Sequence, residues 1–263
     1  MPVDYHTHPQ AHRLQPYSLD LLRPWAEWCV KLGIKEIAFT DHDRYCQAVD
    51  FNVVERLSEL YPTVRFLKGI ELDNDPVTSE AGKHWIEKKW NQLDFVLASV
   101  HYLPGEASMF DAKGEESQLE KHGIAQAYEL YIQQLDAMLS YGAVDCFSHL
   151  DLIKIHGHCI DEAQTLKLFV PLLEKIAKAG KSIEINTAGW RKPVAEQYPG
   201  LSLLKEAVKL GISITISSDA HSYAQIAEDY HRLRDVLAAA SIQEIALYQN
   251  HQKRLTPLKN LIL

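Results

Sequence analysis

The chain has 263 residues, 46% of them hydrophobic, which is enough to bury the core of one large barrel or of two smaller domains. Its net charge of −8 gives no overall attraction to nucleic acid or to an anionic membrane. The chain becomes polar within its first four residues and contains no apolar run long enough to span a bilayer, so we predict neither a signal peptide nor a transmembrane helix. Four cysteines without CxxC spacing favour reduced thiols and a cytoplasmic protein.

The chain begins with a short predicted strand, residues 3–8, that ends in a His-x-His pair. Because side chains i and i+2 of a strand share a face, His6 and His8 project the same way and can hold one metal ion. His12 follows in the first loop.

Six further apolar segments predict strands, and helices alternate with them along the whole chain. The predicted strands cover residues 34–40, 64–72, 94–101, 143–150, 181–186 and 212–219. The predicted helices cover residues 21–32, 48–60, 84–92, 124–141 and 161–180, a segment ending at 211, then 223–239 and a shorter one at 242–249. Ser18 or Asp20 is expected to cap the first helix and Gly33 to end it. Residues 102–123 are predicted to form a long loop.

Alternating strands and helices predict a parallel sheet, which closes either as a doubly wound open sheet or as a barrel. Functional side chains follow nearly every predicted strand, and a barrel brings all of these strand ends to one face. An open sheet would confine chemistry to one switch point. We therefore predict an α/β fold, a single-domain distorted (β/α)7 TIM-like barrel over residues 1–263.

The residues at the strand ends are histidines and acids, the residue types that bind divalent metals. They are His6, His8, His42, Glu71, His101, His149, Asp219 and His221, with His12 in the first loop. This set is too large for one catalytic zinc, which takes three protein ligands and a water, and it suits two or three divalent ions. The alternative for any single histidine is a hydrogen-bonded core residue.

The ordered motifs resemble those of the PHP (polymerase and histidinol phosphatase) domain family over nearly the whole chain. They are His6-Thr7-His8, Thr40-Asp41-His42, Gly69-Ile70-Glu71, Ser99-Val100-His101, Ser148-His149 and Ser218-Asp219-Ala220-His221. The resemblance implies a distorted seven-stranded barrel with three metal ions. It assigns His6, His8, Glu71 and Asp219 to one ion, Glu71, His101 and His149 to the second, and His12, His42 and His221 to the third. His12 lies two residues earlier than in the family pattern, and Asp41 and Asp43 are expected to orient imidazoles.

Within this family the chain resembles a free-standing histidinol-phosphatase. The stretch from Glu184 to Lys192 resembles the segment that brings an arginine to the substrate phosphate, so Arg191 is the expected bidentate phosphate ligand. Lys154 is a second expected phosphate contact, with a solvated loop lysine as the alternative. The implied reaction is hydrolysis of L-histidinol phosphate by a metal-bound hydroxide, with Asp219 or His221 protonating the leaving oxygen.

Other functions remain open at this stage. A PHP-type nuclease, a nucleotide phosphoesterase or a broad-specificity phosphatase would use the same metals, and a non-catalytic metal-binding module is a further alternative. The acidic net charge argues against nucleic acid as a partner. We expect two or three Zn, Mn or Fe ions, a small phosphorylated substrate, no membrane partner, and a monomer or small homo-oligomer.

Overall fold

The structure, a computed structural model, describes residues 3–105, 108–109 and 121–260. At its centre seven parallel strands follow one another in chain order. The strands are β1 (Val3–Thr7), β2 (Glu36–Phe39), β3 (Arg65–Asp73), β4 (Phe95–Ser99), β5 (Cys146–Phe147), β6 (Ser182–Asn186) and β7 (Ser213–Ser217). Nearly every residue of these strands is buried, because helices cover the outside of the sheet and side chains fill its inside.

The sheet curls into a barrel whose first and last strands meet near their carboxyl ends. Thr7 pairs with Ala220 in a parallel bridge, and the His8 amide donates to the Ala220 carbonyl at 2.7 Å. The buried Asp4 carboxylate joins the same two strands by accepting the Ser218 amide at 2.9 Å. The predicted (β/α)7 barrel is therefore confirmed. The open doubly wound alternative is wrong, because the strand order is sequential and the two end strands are joined.

Helices connect the strands and cover the barrel. They are α1 (Leu19–Leu32), α2 (Phe51–Leu60), α3 (Ser79–Lys89), α4 (Ile124–Tyr141), α5 (Glu162–Lys178), α6 (Leu201–Lys209) and α7 (Leu233–Ala239). Ser18 caps α1 by accepting the Leu21 amide at 3.2 Å, and Gly33 ends it with a left-handed φ of 73°. Asp161 caps α5 by accepting the Gln164 amide at 2.9 Å. These ends fall where the sequence predicts them.

The chain after α7 corrects the prediction of a helix over residues 242–249. It forms an antiparallel hairpin of β8 (Glu244–Gln249) and β9 (Gln252–Pro257). The two connecting residues, Asn250 and His251, have φ values of 47° and 61°. Positive φ at both positions gives the turn a twist that matches two antiparallel strands, and asparagine tolerates it well.

This hairpin covers the amino ends of the barrel strands. The ring centroid of Tyr248 lies 4.8 Å from that of Phe95, and the Tyr248 hydroxyl lies 2.6 Å from Ser182 Oγ. The Tyr248 amide donates to the Tyr5 hydroxyl at 2.8 Å, and Arg65 donates to the Tyr248 carbonyl. Side chains therefore close this mouth of the barrel.

Two other predicted segments differ from the structure or fall outside it. The predicted helix over residues 223–239 is α-helical only in α7, because left-handed backbone at Ala227 and Asp229 interrupts it. The predicted loop over residues 102–123 lies largely outside the described residues. Among the described helices, none combines the length and the apolar character needed to cross a bilayer.

Candidate metal centre

The nine predicted metal ligands meet at the carboxyl mouth of the barrel. Six of them are at most 4% exposed, namely His6, His8, His42, Glu71, His101 and His149. The side chains of Asp219 and His221 are 14% and 31% exposed. They come together because parallel strands in a barrel end at the same edge.

Glu71, on β3, lies at the centre of this cluster. The distances from its two oxygens to the nearest imidazole nitrogens are 3.4 Å for His6, 3.4 Å for His149, 3.7 Å for His101, 2.7 Å for His42 and 3.5 Å for His8. Oε1 faces the first three imidazoles and Oε2 faces the other two. A carboxylate with imidazoles on both oxygens has the geometry of a bridging ligand.

The separations between ligand atoms fit a coordination shell. Four ligands held at 2.0–2.1 Å around a tetrahedral zinc lie roughly 3.3 Å from one another. The Nε2 atoms of His101 and His149 are 3.1 Å apart. Asp219 Oδ1 lies 3.2 Å from His8 Nε2 and 3.6 Å from His6 Nε2. The residues present therefore fit divalent metal ions.

Several of these atoms are buried and make no hydrogen bond of suitable geometry among the described residues, although some lie within 2.7–3.6 Å of a neighbouring ligand atom. They are Nε2 of His6, Nε2 of His8, Nδ1 of His42, Oε2 of Glu71 and Nε2 of His221. Burying a polar atom without a hydrogen bond costs about 1–3 kcal/mol of folding free energy. Five such atoms in one cluster therefore indicate an arrangement that binds cations.

In the part of the chain that the structure describes, five sets of three residues have ligand atoms within 4.8 Å of one another. They are His6–His8–Glu71, Glu71–His101–His149, His6–His149–Asp219, His8–His42–His221 and His42–Asp73–His101. The set Glu71–His101–His149 is identical to the group expected for the second ion. The set His6–His8–Glu71 contains three of the four residues expected for the first ion. The fourth has His8 where the expected group has His12.

His12 nevertheless reaches the cluster, although it is the most exposed of the nine. Its ring centroid lies 4.3 Å from that of His221 and 5.0 Å from that of His42. The backbone turns inward through left-handed φ values of 46° at Ala11 and 60° at His12. Tyr45 donates its hydroxyl to the His12 carbonyl at 2.9 Å and holds this turn.

The charges of the cluster suit metal binding. Burial alone would raise the pKa of the Glu71 carboxyl, but the imidazoles of His42 and His6 outweigh it and hold the pKa well below its ordinary value. The same competition, with His6 and His8 as the nearest imidazoles, lowers the pKa of Asp219. Burial and two neighbouring imidazoles lower the pKa of His8 well below its ordinary value. Ionised carboxylates and neutral imidazoles are the forms that bind metals.

Two buried carboxylates orient imidazoles from behind, and neither was assigned this role from the sequence. Asp73 Oδ2 lies 2.8 Å from His101 Nδ1. Both oxygens of Glu184 lie 3.1 Å from His6 Nδ1. When Nδ1 is bonded in this way, Nε2 of the same ring is left for a metal ion.

The residues expected in this role act elsewhere. Asp41 accepts the Gln10 amide at 2.9 Å and the Tyr17 hydroxyl at 2.7 Å, so it fastens the first loop. Asp43 packs against α3, where a Cβ on Gly82 would lie 2.0 Å from its Oδ2. Among the described residues neither acid forms a hydrogen bond or an ion pair with an imidazole, so the structure does not support the expectation that these two acids orient imidazoles.

A cavity of about 430 Å³ opens above the cluster. Its walls beyond the metal ligands include Ile155, Ala188, Arg191, Lys192 and Tyr198. A second cavity adjoins it and shares His12, His42, Ile155 and Lys192 with it; Arg44, Tyr45, Tyr102, Ser108 and His156 are among its other walls. The pair offers a chamber lined by predicted metal ligands and a side chamber with aromatic and polar walls.

Arg191 lines the cavity, but most of its donors have partners. Nη1 donates to Asp229 Oδ2 at 2.9 Å and to the Thr187 carbonyl at 3.3 Å, and Nη2 donates to the Ser218 carbonyl at 2.8 Å. Nε lies 3.2 Å from Glu228 Oε2. Since a guanidinium has five N–H groups, one Nη2 hydrogen is left, and a bidentate grip on phosphate would require breaking a bond already made.

Lys154 does not line this cavity. Its ammonium lies 2.8 Å from Asp151, 2.6 Å from Glu196 and 3.2 Å from the Gln197 carbonyl, and the residue is 5% exposed. The expected role as a phosphate contact is not supported, because a buried ammonium held by two carboxylates is already neutralised. We therefore leave Lys154 out of the proposed phosphate contacts.

The fold and the site define a class: a seven-stranded barrel whose open mouth carries histidines and carboxylates able to hold metal ions. The PHP domain family matches residues 4–188, more than half of the chain, and the chain belongs to that family. The matched residues end before β7, so Asp219 and His221 lie beyond them. That residues 1–263 form one PHP unit stays a prediction.

Individual relatives narrow the comparison. The chain is 30% identical over 234 residues to the probable histidinol-phosphatase of Deinococcus radiodurans, covering 81% of this chain and 86% of that protein. It is 26% identical over 260 residues to the histidinol-phosphatase of Lactococcus lactis, covering 94% of each. The crystal structure of the Lactococcus lactis histidinol phosphate phosphatase, complexed with zinc, L-histidinol and phosphate, superimposes with a TM-score of 0.74 at 23% identity over 96% of this chain and 98% of that one. The predicted resemblance to histidinol-phosphatases is confirmed.

Proposed function

We propose that the chain hydrolyses L-histidinol phosphate to L-histidinol and phosphate with two or three bound divalent ions of Zn, Mn or Fe. One observation carries the proposal: Glu71 faces five imidazoles at distances of 2.7–3.7 Å at the open mouth of the barrel. The names of the two curated relatives supply the substrate. A cytoplasmic location fits the three buried thiols of Cys29, Cys46 and Cys146.

Each part of the centre has a proposed role. The sets around Glu71 would hold two of the ions, and His12, His42 and His221 would hold a third. Bound divalent ions supply a hydroxide at neutral pH and neutralise charge on the phosphate. The nine ligands thereby set where the phosphorus atom of the substrate must lie, opposite the cluster and inside the 430 Å³ cavity.

The phosphate oxygens are assigned to Arg191 and Lys192, which both line this cavity. Arg191 contributes its remaining Nη2 hydrogen, and Lys192 contributes a mobile ammonium. The proton for the leaving oxygen is assigned to His221 in preference to Asp219, because the His221 side chain is the more exposed of the two. Its Nδ1 is held by the Asp219 carbonyl at 2.9 Å, so Nε2 is the atom that either carries this proton or binds an ion, and the two roles of His221 are alternatives.

The organic part of the substrate is assigned to the adjoining side chamber. Its aromatic walls, Tyr45 and Tyr102, provide packing surface, while Ser108 and His156 provide polar groups. The net charge of −8 argues against a nucleic-acid substrate, which would require a basic groove beside the metals.

The test is phosphate release by zinc- or manganese-loaded protein from a panel of substrates. The panel contains L-histidinol phosphate, p-nitrophenyl phosphate, a 3′,5′-bisphosphonucleotide and single-stranded DNA. We expect the highest kcat/KM for L-histidinol phosphate. A preference for the nucleotide or for DNA would replace the proposal with the nuclease or nucleotide phosphoesterase alternative, and equal rates on all monoesters would indicate a broad-specificity phosphatase.

A further inference from the structure

Glu184, in the middle of β6, is a fully buried carboxylate to which the proposed mechanism gives no task. Both of its oxygens lie 3.1 Å from His6 Nδ1. Its Oε1 also accepts the His149 backbone amide at 2.7 Å and the Asn186 side-chain amide at 2.8 Å. One carboxylate thus contacts donors from three different parts of the barrel.

Glu184 does not belong to any of the three-residue sets of ligand atoms found among the described residues. Its lone pairs are directed to N–H groups instead. Asn186, which donates to it, also lies 3.3 Å from Asp219 Oδ2. Glu184 therefore contacts His6 and His149 directly and is linked to Asp219 through Asn186. His6, His149 and Asp219 together form one of the candidate metal sets.

We propose that Glu184 is a positioning residue that sets the metal affinity of the centre. It accepts the Nδ1 proton of His6, so that the ring presents Nε2 to the metal, and it holds the backbone from which His149 projects. This inference rests on the metal centre of the proposed function.

Two physical reasons support this role over a purely structural one. An imidazole bonded to a carboxylate through Nδ1 keeps one tautomer and one orientation, and its Nε2 becomes a more basic ligand. The carboxylate also offers more acceptor sites than a single donor needs, and here three donors from separate chain segments use them. Strand packing alone would not require an acid inside the barrel, because a buried carboxylate is costly unless hydrogen bonds compensate it.

The first test replaces Glu184 by glutamine, which keeps the size of the side chain and removes its charge. Glu36→Gln is the matched control, because Glu36 is also a buried glutamate on a barrel strand, 2% exposed, but bonds Tyr5 and Arg65 at the opposite mouth. Zinc is titrated off each loaded protein with a chromophoric chelator, and circular dichroism checks folding. We expect E184Q to bind zinc about 10–100-fold more weakly than wild type. Zinc affinity should be unchanged in E36Q.

The second test uses the wild type, so it decides the question even if E184Q does not fold. In long-range ¹H–¹⁵N spectra of the zinc-loaded protein, His6 should carry its proton on Nδ1 and bind metal through Nε2. A proton on Nε2, or wild-type zinc affinity in folded E184Q, would overturn the inference. Both readouts are taken without substrate, so a protein that binds zinc as described and leaves histidinol phosphate intact contradicts only the proposed function.

Discussion

Replacing Arg191 and Lys192 separately by methionine distinguishes a residue that mainly braces the site, with one hydrogen left for phosphate, from one that only contacts the substrate. Both line the cavity, but Arg191 makes three hydrogen bonds that join residues 187, 218 and 229, whereas Lys192 is exposed. The side chains of Arg191 and Asp229 are 24% and 22% exposed, so solvent weakens these bonds. At about 1 kcal/mol for each, R191M should lower the free energy of unfolding by about 3 kcal/mol.

The same change should also lower activity, because the Ser218 carbonyl that Arg191 holds precedes the predicted ligand Asp219. K192M should leave the melting temperature unchanged, because substitutions on the surface rarely alter stability. Its kcat/KM for L-histidinol phosphate should fall about 10–100-fold, the loss expected for one charge-assisted contact to phosphate.

The assay combines urea unfolding of the metal-loaded proteins with steady-state phosphate release. Arg191→Lys serves as a control, since it keeps the positive charge and loses most of the bracing bonds. If R191M proved as stable as wild type while its kcat/KM fell more than about 100-fold, the reasoning would be refuted, and phosphate binding rather than bracing would be the main role of Arg191.

Three further predictions concern metals, the first loop and the hairpin. Dialysis against a chelator should abolish phosphate release, and added Zn²⁺ or Mn²⁺ should restore it; turnover that survives chelation would contradict the metal mechanism. His12→Ala should reduce the metal content found by elemental analysis without unfolding the barrel, and full metal content would exclude His12 as a ligand. His251 lies with Nδ1 2.8 Å from Asp145 and Nε2 3.0 Å from the Trp90 carbonyl, an arrangement that both ring nitrogens satisfy only when protonated. Although burial opposes the charge, Asp145 raises the pKa of His251, so its stabilising contribution is complete below the ordinary value and is lost as the pH rises through the raised one. His251→Ala should therefore lower the melting temperature by about 2–4 °C at about pH 6 and by less at about pH 9, and equal losses would contradict this assignment.

The barrel and the cluster of histidines and acids at its mouth were predictable because both depend on local patterns. Apolar runs alternate with amphipathic helices, and each run ends in a residue such as Glu71 or His149. The geometry of parallel strands then brings these ends together without further information. His12 illustrates the limit of spacing, since a shifted position in the sequence is compensated by left-handed backbone at two residues.

Features that depend on distant partners could not be predicted. Residues 242–249 contain alanine, leucine, glutamate and glutamine, which favour helix, and the fold overrides this preference because Tyr248 bonds Tyr5 and packs on Phe95. The Asn250 turn was the one local signal for a hairpin. The partner of His6 Nδ1 was equally hidden, because Glu184 is 178 positions away and meets the ring only inside the closed barrel.

Because Tyr248 of β8 packs against Tyr5 and Phe95 beneath the strands, we expect substrate to enter the described part of the barrel at its carboxyl mouth. After hydrolysis, both products, the alcohol and inorganic phosphate, should leave through the same opening. Phosphate should dissociate more slowly than the alcohol, because the proposed metal ions bind the phosphate group. Turnover should consequently slow as free phosphate accumulates, because phosphate competes with the substrate for the site.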